Sequence, residues 1–454
     1  MLYILITILV FIFSKKIYKK LSGVSKHYPF NFIYYVFIID LVVTSLVGSL
    51  LIVLNLDNSY TLERYLKVTQ HERIYSWIIV IYTILSMPIG MKISQYLFKV
   101  KNINNSYSSF VNSEMRLEKS YNGVPYKLLL MFIYIVSISG TIYTYTNMKD
   151  IPLFLILAGE DALRLAEIRI DVSRNFSGIS RIKDINSYLA PLLSYISYCF
   201  YRKNKNITNT LLAFILFMSG LLMVSYSGAK SSIAFFFLGY IFISLYLWKK
   251  QDKKNVLLLF ILIFLSIVLS YLFIAQKTDI KILLSLEQGI LGRVFVAQIE
   301  GLVAHLNVFP NLQDYTGLSS FLGESISSIL NMKRNDFSYR TTALIAWGSK
   351  SNINRVGVMN TLFVAEAYAA FGFLGVLLSP IYVGFYIQSV FLYLIKIRKT
   401  PFSVGLLAYL SCRTNITGSF NAFLYNPYTM FIVFLLIMIL FFSRFFSISI
   451  KGKI

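Results

Sequence analysis

The chain has 454 residues, of which 57% are hydrophobic and 14% charged, with a net charge of +23 and a mean hydropathy of +0.66. This composition excludes a soluble globular domain and predicts a polytopic membrane protein. Stretches such as VLLLFILIFLSIVLSYLFIA are continuously apolar and lack the alternation of a barrel strand. The predicted fold class is therefore an all-α integral membrane protein, with residues 1–454 as a single membrane domain.

Apolar stretches of membrane-spanning length recur along the chain and predict about eleven transmembrane helices, each of roughly 20 residues. The first helix is expected to be retained, because its positive charge (KKIYKK) follows the apolar run instead of preceding it. The predicted spans are 1–14, 30–54, 76–98, 127–145, 187–201, 207–226, 231–248, 255–275, 371–394, 402–420 and 427–446.

Basic residues are concentrated in alternate loops, which predicts that this side of the membrane is cytoplasmic. The two long polar loops, 146–186 and 276–370, then lie outside. The positive charge is dispersed over short loops, so it indicates topology and not a nucleic-acid partner. The basic loop residues are Lys15, Lys16, Lys19, Lys20, Lys99, Lys101, Arg202, Lys203, Lys205, Lys249, Lys250, Lys253, Lys254, Lys396, Arg398 and Lys399.

Reporter fusions test this topology. Fusions after Lys101, Lys205 and Lys253 are expected to report cytoplasm, and fusions near Ser173 and Ser328 are expected to report the outer side. The measurement uses two reporters, one that is active only in the cytoplasm and one that is active only on the outer side. An inversion at any position would remove the basis for placing the two long loops outside.

The first long loop has nearly balanced charge. Glu160 and Arg164 have the spacing of a helical ion pair, as do Asp171 and Arg174, which is typical of a solvated surface helix. The alternative is that some of the arginines bind phosphate, because guanidinium contacts phosphate in bidentate fashion and lysine does not. The other charged residues of the loop are Asp161, Glu167, Arg169, Arg181 and Asp184.

The second long loop begins with LEQGILGRVFVAQIEGLVAHL, which predicts one amphipathic helix with Arg293 and Glu300 on its polar face. Such a helix would lie in the outer membrane interface or cap a cavity. Further along, the loop carries Arg334, Arg340 and Arg355.

Glu366 is the one charged residue in FVAEAYAAFGFLG, the apolar run that enters the next predicted helix. A carboxylate in such a setting is costly to desolvate unless it is paired or protonated, so Glu366 is a functional candidate. The alternative is a structural salt bridge to a loop arginine.

Other polar residues lie in or near the predicted spans. Lys230, in SYSGAKSS, lies at a short outer turn, and Arg413, in SCRTNITGSF, lies well inside a predicted span. Arg413 and Asp40 either neutralise each other or take part in the site. His305 has no His, Cys or acidic cluster nearby, so a packing role is predicted and no metal site is expected.

The predicted helices, the two arginine-rich outer loops, the SGAKS turn and the FVAEAYAAFGFLG stretch resemble the Wzy-type O-antigen and oligosaccharide repeat unit polymerases of bacterial surface glycans. Lys230 stands where arginine is frequent in that family. The resemblance covers the layout of the whole chain and short patches of residues. It implies a GT-C-like glycosyltransferase of the bacterial inner membrane, with both long loops and the active face in the periplasm.

The resemblance implies that a growing glycan moves from its undecaprenyl pyrophosphate carrier to the free-end sugar of an incoming undecaprenyl-linked repeat unit. Both substrates are anchored in membrane lipid. A chain-length regulator protein would be a further partner. A carboxylate would act on the acceptor hydroxyl, with Glu366 as first candidate and Asp161 as second. Fixed cationic side chains would stabilise the pyrophosphate. These candidates are Arg164, Arg293, Arg340, Arg355, Lys230 and Arg413.

Two other functions compete with the polymerase. An O-antigen ligase has the same layout and donor, and its loop histidine would make His305 the base. A flippase-type transporter of lipid-linked sugars would line a cavity with intramembrane charges and have short loops. Walker and other nucleotide-binding motifs are absent, so an ATP-driven pump is not expected and no cofactor is predicted.

Overall fold

A computed structural model describes residues 1–454 except 29, 60, 119–122, 248–256, 266–284, 287–288, 321–337, 347–358, 425, 427–428, 439–440 and 442–454. All regular secondary structure in the described residues is helical. Six helices in this part of the chain are long and apolar enough to cross a membrane, which confirms a helical, membrane-embedded protein. These spans are Phe32–Val53, Gln70–Leu97, Tyr126–Thr146, Ile207–Ser225, Phe373–Lys396 and Asn421–Met438.

The number of eleven spans and the GT-C-like arrangement stay predictions.

The helices are, in chain order, α1 (Leu2–Ser22), α2 (Phe32–Val53), α3 (Gln70–Leu97), α4 (Ile103–Asn112), α5 (Val124–Thr146), α6 (Pro152–Leu157), α7 (Ala162–Arg174), α8 (Ser180–Lys203), α9 (Ile207–Ser225), α10 (Lys230–Leu247), α11 (Glu300–Val308), α12 (Ser338–Ala346), α13 (Val364–Phe371), α14 (Phe373–Lys396) and α15 (Pro401–Arg413).

The predicted span 402–420 is wrong at its outer end. Helix α15 ends at Arg413, so this arginine terminates a helix instead of lying well inside one. The chain then forms a turn, in which the Asn415 side chain accepts hydrogen bonds from the Thr417 amide at 2.9 Å and the Thr417 hydroxyl at 2.7 Å. Asn and Thr side chains compete with the helix for backbone groups in this way, and a hydropathy window does not register it.

The predicted amphipathic helix 286–306 is also wrong as a single element. A π-helical turn, Gly292–Val296, is followed by a break, and α11 begins only at Glu300. Gly292 approaches the carbonyl oxygen of Leu286 so closely that a methyl group on Gly292 would overlap it. The chain therefore folds back on itself here, although its apolar periodicity continues through the break.

The chain divides into two compact units. The first unit comprises Met1–Ser108, Lys277–Tyr393 and Thr414–Tyr425, and the second comprises Ser109–Gln276, Leu394–Arg413 and Asn426–Ile454.

Helices α3 and α14 cross closely in the first unit through glycines. A methyl group on Gly90 would overlap the carbonyl oxygen of Ile381, and one on Gly384 would overlap that of Met87. Small residues permit such close backbone approach, which supplies much of the attraction between helices in lipid. The hydroxyls of Ser94 and Ser389 lie 2.9 Å apart along the same contact.

A Gly90→Ala substitution tests this contact. Because the added methyl meets a backbone carbonyl, the helices must separate, and a loss of about 1–3 kcal/mol is expected. The thermal unfolding midpoint of the purified protein in detergent measures it. Ile89→Ala, on the exposed face of the same helix, is the matched control and should change the midpoint little. Equal midpoints for the Gly90 variant and wild type would contradict the close crossing.

Helix α8 forms the centre of the second unit and packs against α5, α9 and α15. Tyr195 of this helix contacts the rings of Phe236 and Tyr240, at centroid distances of 5.7 and 5.1 Å. Its hydroxyl donates to the Phe236 carbonyl oxygen at 2.8 Å. The hydroxyl group of this buried tyrosine is thus hydrogen-bonded to the backbone of α10, as is usual for polar groups that are shielded from water.

Candidate functional site

Short elements at the predicted outer ends of the spans pack together in the first unit. Helix α11 contacts α12, α13 and the π-helical turn Thr61–Tyr65, and α12 contacts α13 and the same turn. All of these elements belong to segments that the charge pattern places outside. We call four charged residues on or beside them the outer site: Glu366, Glu300, Arg293 and Arg340.

Glu366 lies in the first turn of α13 and is only 2% exposed. Its Oε2 accepts hydrogen bonds from the Ser419 hydroxyl at 2.7 Å and the Asn421 amide at 3.3 Å. The same segment is tied to α13 a second time, because the Phe363 amide donates to the Ile416 carbonyl oxygen at 2.9 Å. The carboxyl group is thus held in a fixed position by groups that carry no charge.

Burial raises the pKa of Glu366 to about 7, and the hydrogen bonds from Ser419 and the backbone oppose this shift only in part. No salt bridge joins Glu366 to an arginine among the described residues, so the alternative of a structural ion pair has no support there. A carboxyl group that titrates near neutral pH in a fixed position is able to exchange a proton.

The raised pKa of Glu366 predicts pH-dependent stability. The unfolded chain releases this proton near pH 4.5, whereas the folded protein keeps it up to about pH 7. The stabilising contribution is therefore fully present below about pH 4.5 and is lost as the pH rises through about 7. The whole change is on the order of 3 kcal/mol, at about 1.4 kcal/mol per pKa unit. Unfolding midpoints at pH 5 and pH 8 should differ less in Glu366→Gln than in wild type, and an unchanged difference would contradict the assignment.

Glu300 is the second carboxyl group of the outer site. Its Oε1 accepts a hydrogen bond from the Ser59 hydroxyl at 2.6 Å, across 241 positions of sequence. Burial raises the pKa of Glu300, while hydrogen bonds from Ser59 and Thr61 and the charge of Arg293 oppose the rise. Arg293 is itself exposed and therefore combines access to solvent with proximity to a buried carboxyl group.

A buried ion pair that the sequence did not predict lies beside Glu300. Arg73 Nη1 lies 2.6 Å from Asp57 Oδ1, and the two side chains are only 5% and 0% exposed. The same Nη1 donates to the Ile52 carbonyl oxygen at 3.0 Å. The negative charge of Asp57 contributes to the raised pKa of Glu300. The sequence did contain one signal for this pair: Asp57 and Arg73, of opposite charge, lie at the two ends of the short connection between the predicted spans 30–54 and 76–98.

Arg340 lies on α12 and is half-buried. Arg355 lies outside the described residues, so its predicted role stays a prediction. Lys230 begins α10, and its side chain is also outside the described part of the chain.

Asp161 and Arg164 lie at the start of α7 in the second unit. The Asp161 carboxylate accepts a hydrogen bond from the Arg164 amide at 3.4 Å, in the manner of a helix cap. Arg164 Nη1 lies 3.0 Å from Glu160 Oε1 in an exposed pair. The predicted Glu160–Arg164 ion pair is thus confirmed, whereas phosphate binding by Arg164 stays a prediction.

Arg413 is fixed by contacts within the second unit. Its Nη2 donates to the Ser187 carbonyl oxygen at 3.0 Å. Its guanidinium carbon lies 4.9 Å from the centre of the Tyr188 ring and 5.8 Å from that of Tyr409. The two tyrosine rings and the Ser187 carbonyl oxygen orient this cation, and none of these three contacts involves an acidic side chain.

His305 is a packing residue in the structure, as predicted. It is 0% exposed, its Nδ1 lies 2.6 Å from the Gly301 carbonyl oxygen, and its ring stacks on Phe309. Its Nε2 is buried and without a hydrogen-bond partner. Burial lowers the pKa of His305 to about 4, so the ring is neutral at physiological pH.

The structure therefore places Glu366 and Arg340 on two helices of the first unit that pack together, α13 and α12. Arg293 lies in the same unit, on the turn Gly292–Val296, and its charge acts on Glu300. Asp161, Arg164 and Arg413 belong to the second unit, as does the backbone of Lys230. No protein-family model, curated protein or solved structure matches the chain. A proposal for the function therefore depends on the sequence and on the geometry of the outer site.

Proposed function

We propose that this protein is a glycosyltransferase that polymerises undecaprenyl-pyrophosphate-linked oligosaccharide repeat units of a bacterial surface polysaccharide. The observation that carries the proposal is the Glu366 carboxyl group, which is buried and held in place by hydrogen bonds from Ser419 and Asn421. Its burial raises its pKa to about 7. Arg340 lies on α12, which contacts the helix of Glu366, and Arg293 lies in the same unit. A carboxyl group and arginines are the two kinds of side chain that this transfer requires.

In the proposed reaction the acceptor hydroxyl oxygen forms a bond to the anomeric carbon of the donor glycan. The bond from that carbon to the pyrophosphate oxygen breaks, and undecaprenyl pyrophosphate leaves with the electron pair. Glu366 takes the proton of the acceptor hydroxyl, for which a pKa near the working pH is favourable. Arg293 and Arg340 stabilise the charge on the leaving pyrophosphate, and their effect is larger in a partly dehydrated site than in water.

The alternative functions gain less support from the described residues. An O-antigen ligase would use His305 as the base, but burial lowers the pKa of this ring to about 4, which makes it a weaker base than Glu366. A flippase-type transporter would place its charges along a cavity inside the membrane. The charged residues of the outer site lie instead on short helices between the predicted spans.

Deletion of the gene in its own bacterium tests the proposed function. Loss of the polymerase should leave a glycan of one repeat on lipid A core. Absence of any attached glycan would indicate a ligase, and repeat units trapped on the cytoplasmic leaflet would indicate a flippase. Either of the last two outcomes would overturn the proposal.

A further inference from the structure

A cavity of about 320 Å³ lies among α5, α8 and α9 in the second unit. We propose that it is a binding site for one anionic phospholipid of the membrane, such as phosphatidylglycerol. The cavity is lined by Lys127, Leu130, Met131, Tyr134, Ser197, Phe200, Asn206, Thr208, Asn209 and Leu212. The inference is independent of the proposed glycosyltransferase activity and of the outer site.

The cavity lies where two helices enter the membrane. Lys127 is the second residue of the candidate span Tyr126–Thr146, and Thr208 is the second residue of the span Ile207–Ser225. These ends face the side that the distribution of basic residues predicts to be cytoplasmic. An opening at this depth is level with phospholipid headgroups, so its nearest source of ligand is the bilayer itself.

One wall of the cavity is apolar and continues into surface that faces lipid. Leu130, Met131 and Leu212 line this wall. Beyond them on the same helix faces, Ile135 on α5 and Ile215 on α9 are 57% and 44% exposed, as expected for side chains in contact with acyl chains. A phospholipid with its headgroup in the cavity would therefore lay its chains along surface that is already apolar.

The end of the cavity at the start of α5 and α9 is polar. Asn206 accepts a hydrogen bond from the Asn209 amide at 2.8 Å and so caps α9, and the Asn209 side chain donates to the Asn204 carbonyl oxygen at 3.0 Å. These contacts fix the rim, from which the Thr208 hydroxyl and the Lys127 ammonium group supply donors.

Charge decides the class of lipid. No acidic side chain lines the described cavity, while Lys127 lies in its wall. Arg202 and Lys203 end α8, and Lys205 follows them just before Asn206. Basic pockets between helices on the cytoplasmic side favour lipids with a net negative headgroup. A zwitterionic headgroup would add a second cation to this positive region, so phosphatidylcholine should bind less well.

Native mass spectrometry of the purified full-length protein tests the site, with phosphatidylglycerol and phosphatidylcholine of identical acyl chains as probes. Wild type should retain phosphatidylglycerol preferentially. Lys127→Gln should weaken its binding about five-fold, because one lysine near the surface contributes about 1 kcal/mol, and should weaken the binding of phosphatidylcholine less. Lys101→Gln, on the same predicted face but outside the cavity, should resemble wild type.

A second variant keeps the test decisive if Lys127→Gln alters the fold, which its unfolding midpoint without lipid would reveal. Met131→Trp fills the apolar wall and should reduce retention of phosphatidylglycerol as well. Equal retention of the two lipids by wild type, or unchanged retention of phosphatidylglycerol in both variants, would overturn the proposal. Binding of glycerol 3-phosphate as tightly as phosphatidylglycerol would show that the acyl chains contribute nothing and that the cavity binds a free phosphate, and would overturn it too.

Discussion

Replacing Glu366 by glutamine is expected to abolish polymer formation and leave single-repeat glycan, with the protein at its normal level in the membrane. Glutamine has nearly the same shape, and its side-chain oxygen still accepts the hydrogen bonds from Ser419 and Asn421. It is unable to take a proton from the acceptor hydroxyl. Loss of a general base costs roughly 10²- to 10⁴-fold in rate. Gel analysis of the surface glycan, normalised to the protein's abundance, measures the effect.

Two control variants separate chemistry from structure. Ser419→Ala removes one hydrogen bond to Glu366 but leaves the carboxyl group, so stability should fall by about 0.5–1.5 kcal/mol while polymer is still made. Asp161→Asn changes an exposed carboxylate that caps α7, and polymer should persist. Reduced abundance of Glu366→Gln would indicate a structural role. Normal abundance with full-length polymer would remove Glu366 from the mechanism and make Asp161 the leading candidate.

Breaking the Asp57–Arg73 pair is expected to produce the largest loss of stability. Removal of one partner from a buried pair leaves an uncompensated charge and costs about 3–5 kcal/mol. Asp57→Ala and Arg73→Met should each show this loss. The double variant should lose much less, because neither charge is then left buried alone. Unfolding free energies from detergent titration of the purified variants provide the double-mutant cycle.

The exposed Glu160–Arg164 pair is the matched control for this cycle. Solvent screens exposed ion pairs, so Glu160→Gln and Arg164→Gln should each cost no more than about 1 kcal/mol. If the Asp57 and Arg73 variants cost equally little, the buried pair does not hold the outer connection beside Glu300 in place.

The sequence predicted the helical elements well wherever hydropathy alone decides them. The predicted spans 76–98, 207–226 and 371–394 coincide closely with helices α3, α9 and α14. Prediction failed where a side chain or a close backbone contact competes with the helix, as Asn415 does after α15 and Gly292 does before α11. Such competition depends on individual atoms and leaves the average hydropathy of a window unchanged.

Much of the candidate site depends on contacts that no local pattern contains. Glu366 stood out in the sequence because it is a lone charge in an apolar run, and burial is indeed what sets its pKa. Its partner Ser419 lies 53 positions away, and the Ser59–Glu300 hydrogen bond spans 241 positions. These pairs follow from how α11 and α13 pack, which neither periodicity nor composition specifies.

Polymerisation by the purified protein is the most direct test of the proposed function. The protein in lipid bilayers would be given undecaprenyl-pyrophosphate-linked repeat units, without nucleotide, and the products separated by length. The proposed reaction predicts glycans of two or more repeats and one molecule of undecaprenyl pyrophosphate released for each linkage formed. Recovery of only the single-repeat substrate from active, folded protein, or transfer solely to lipid A core, would contradict it.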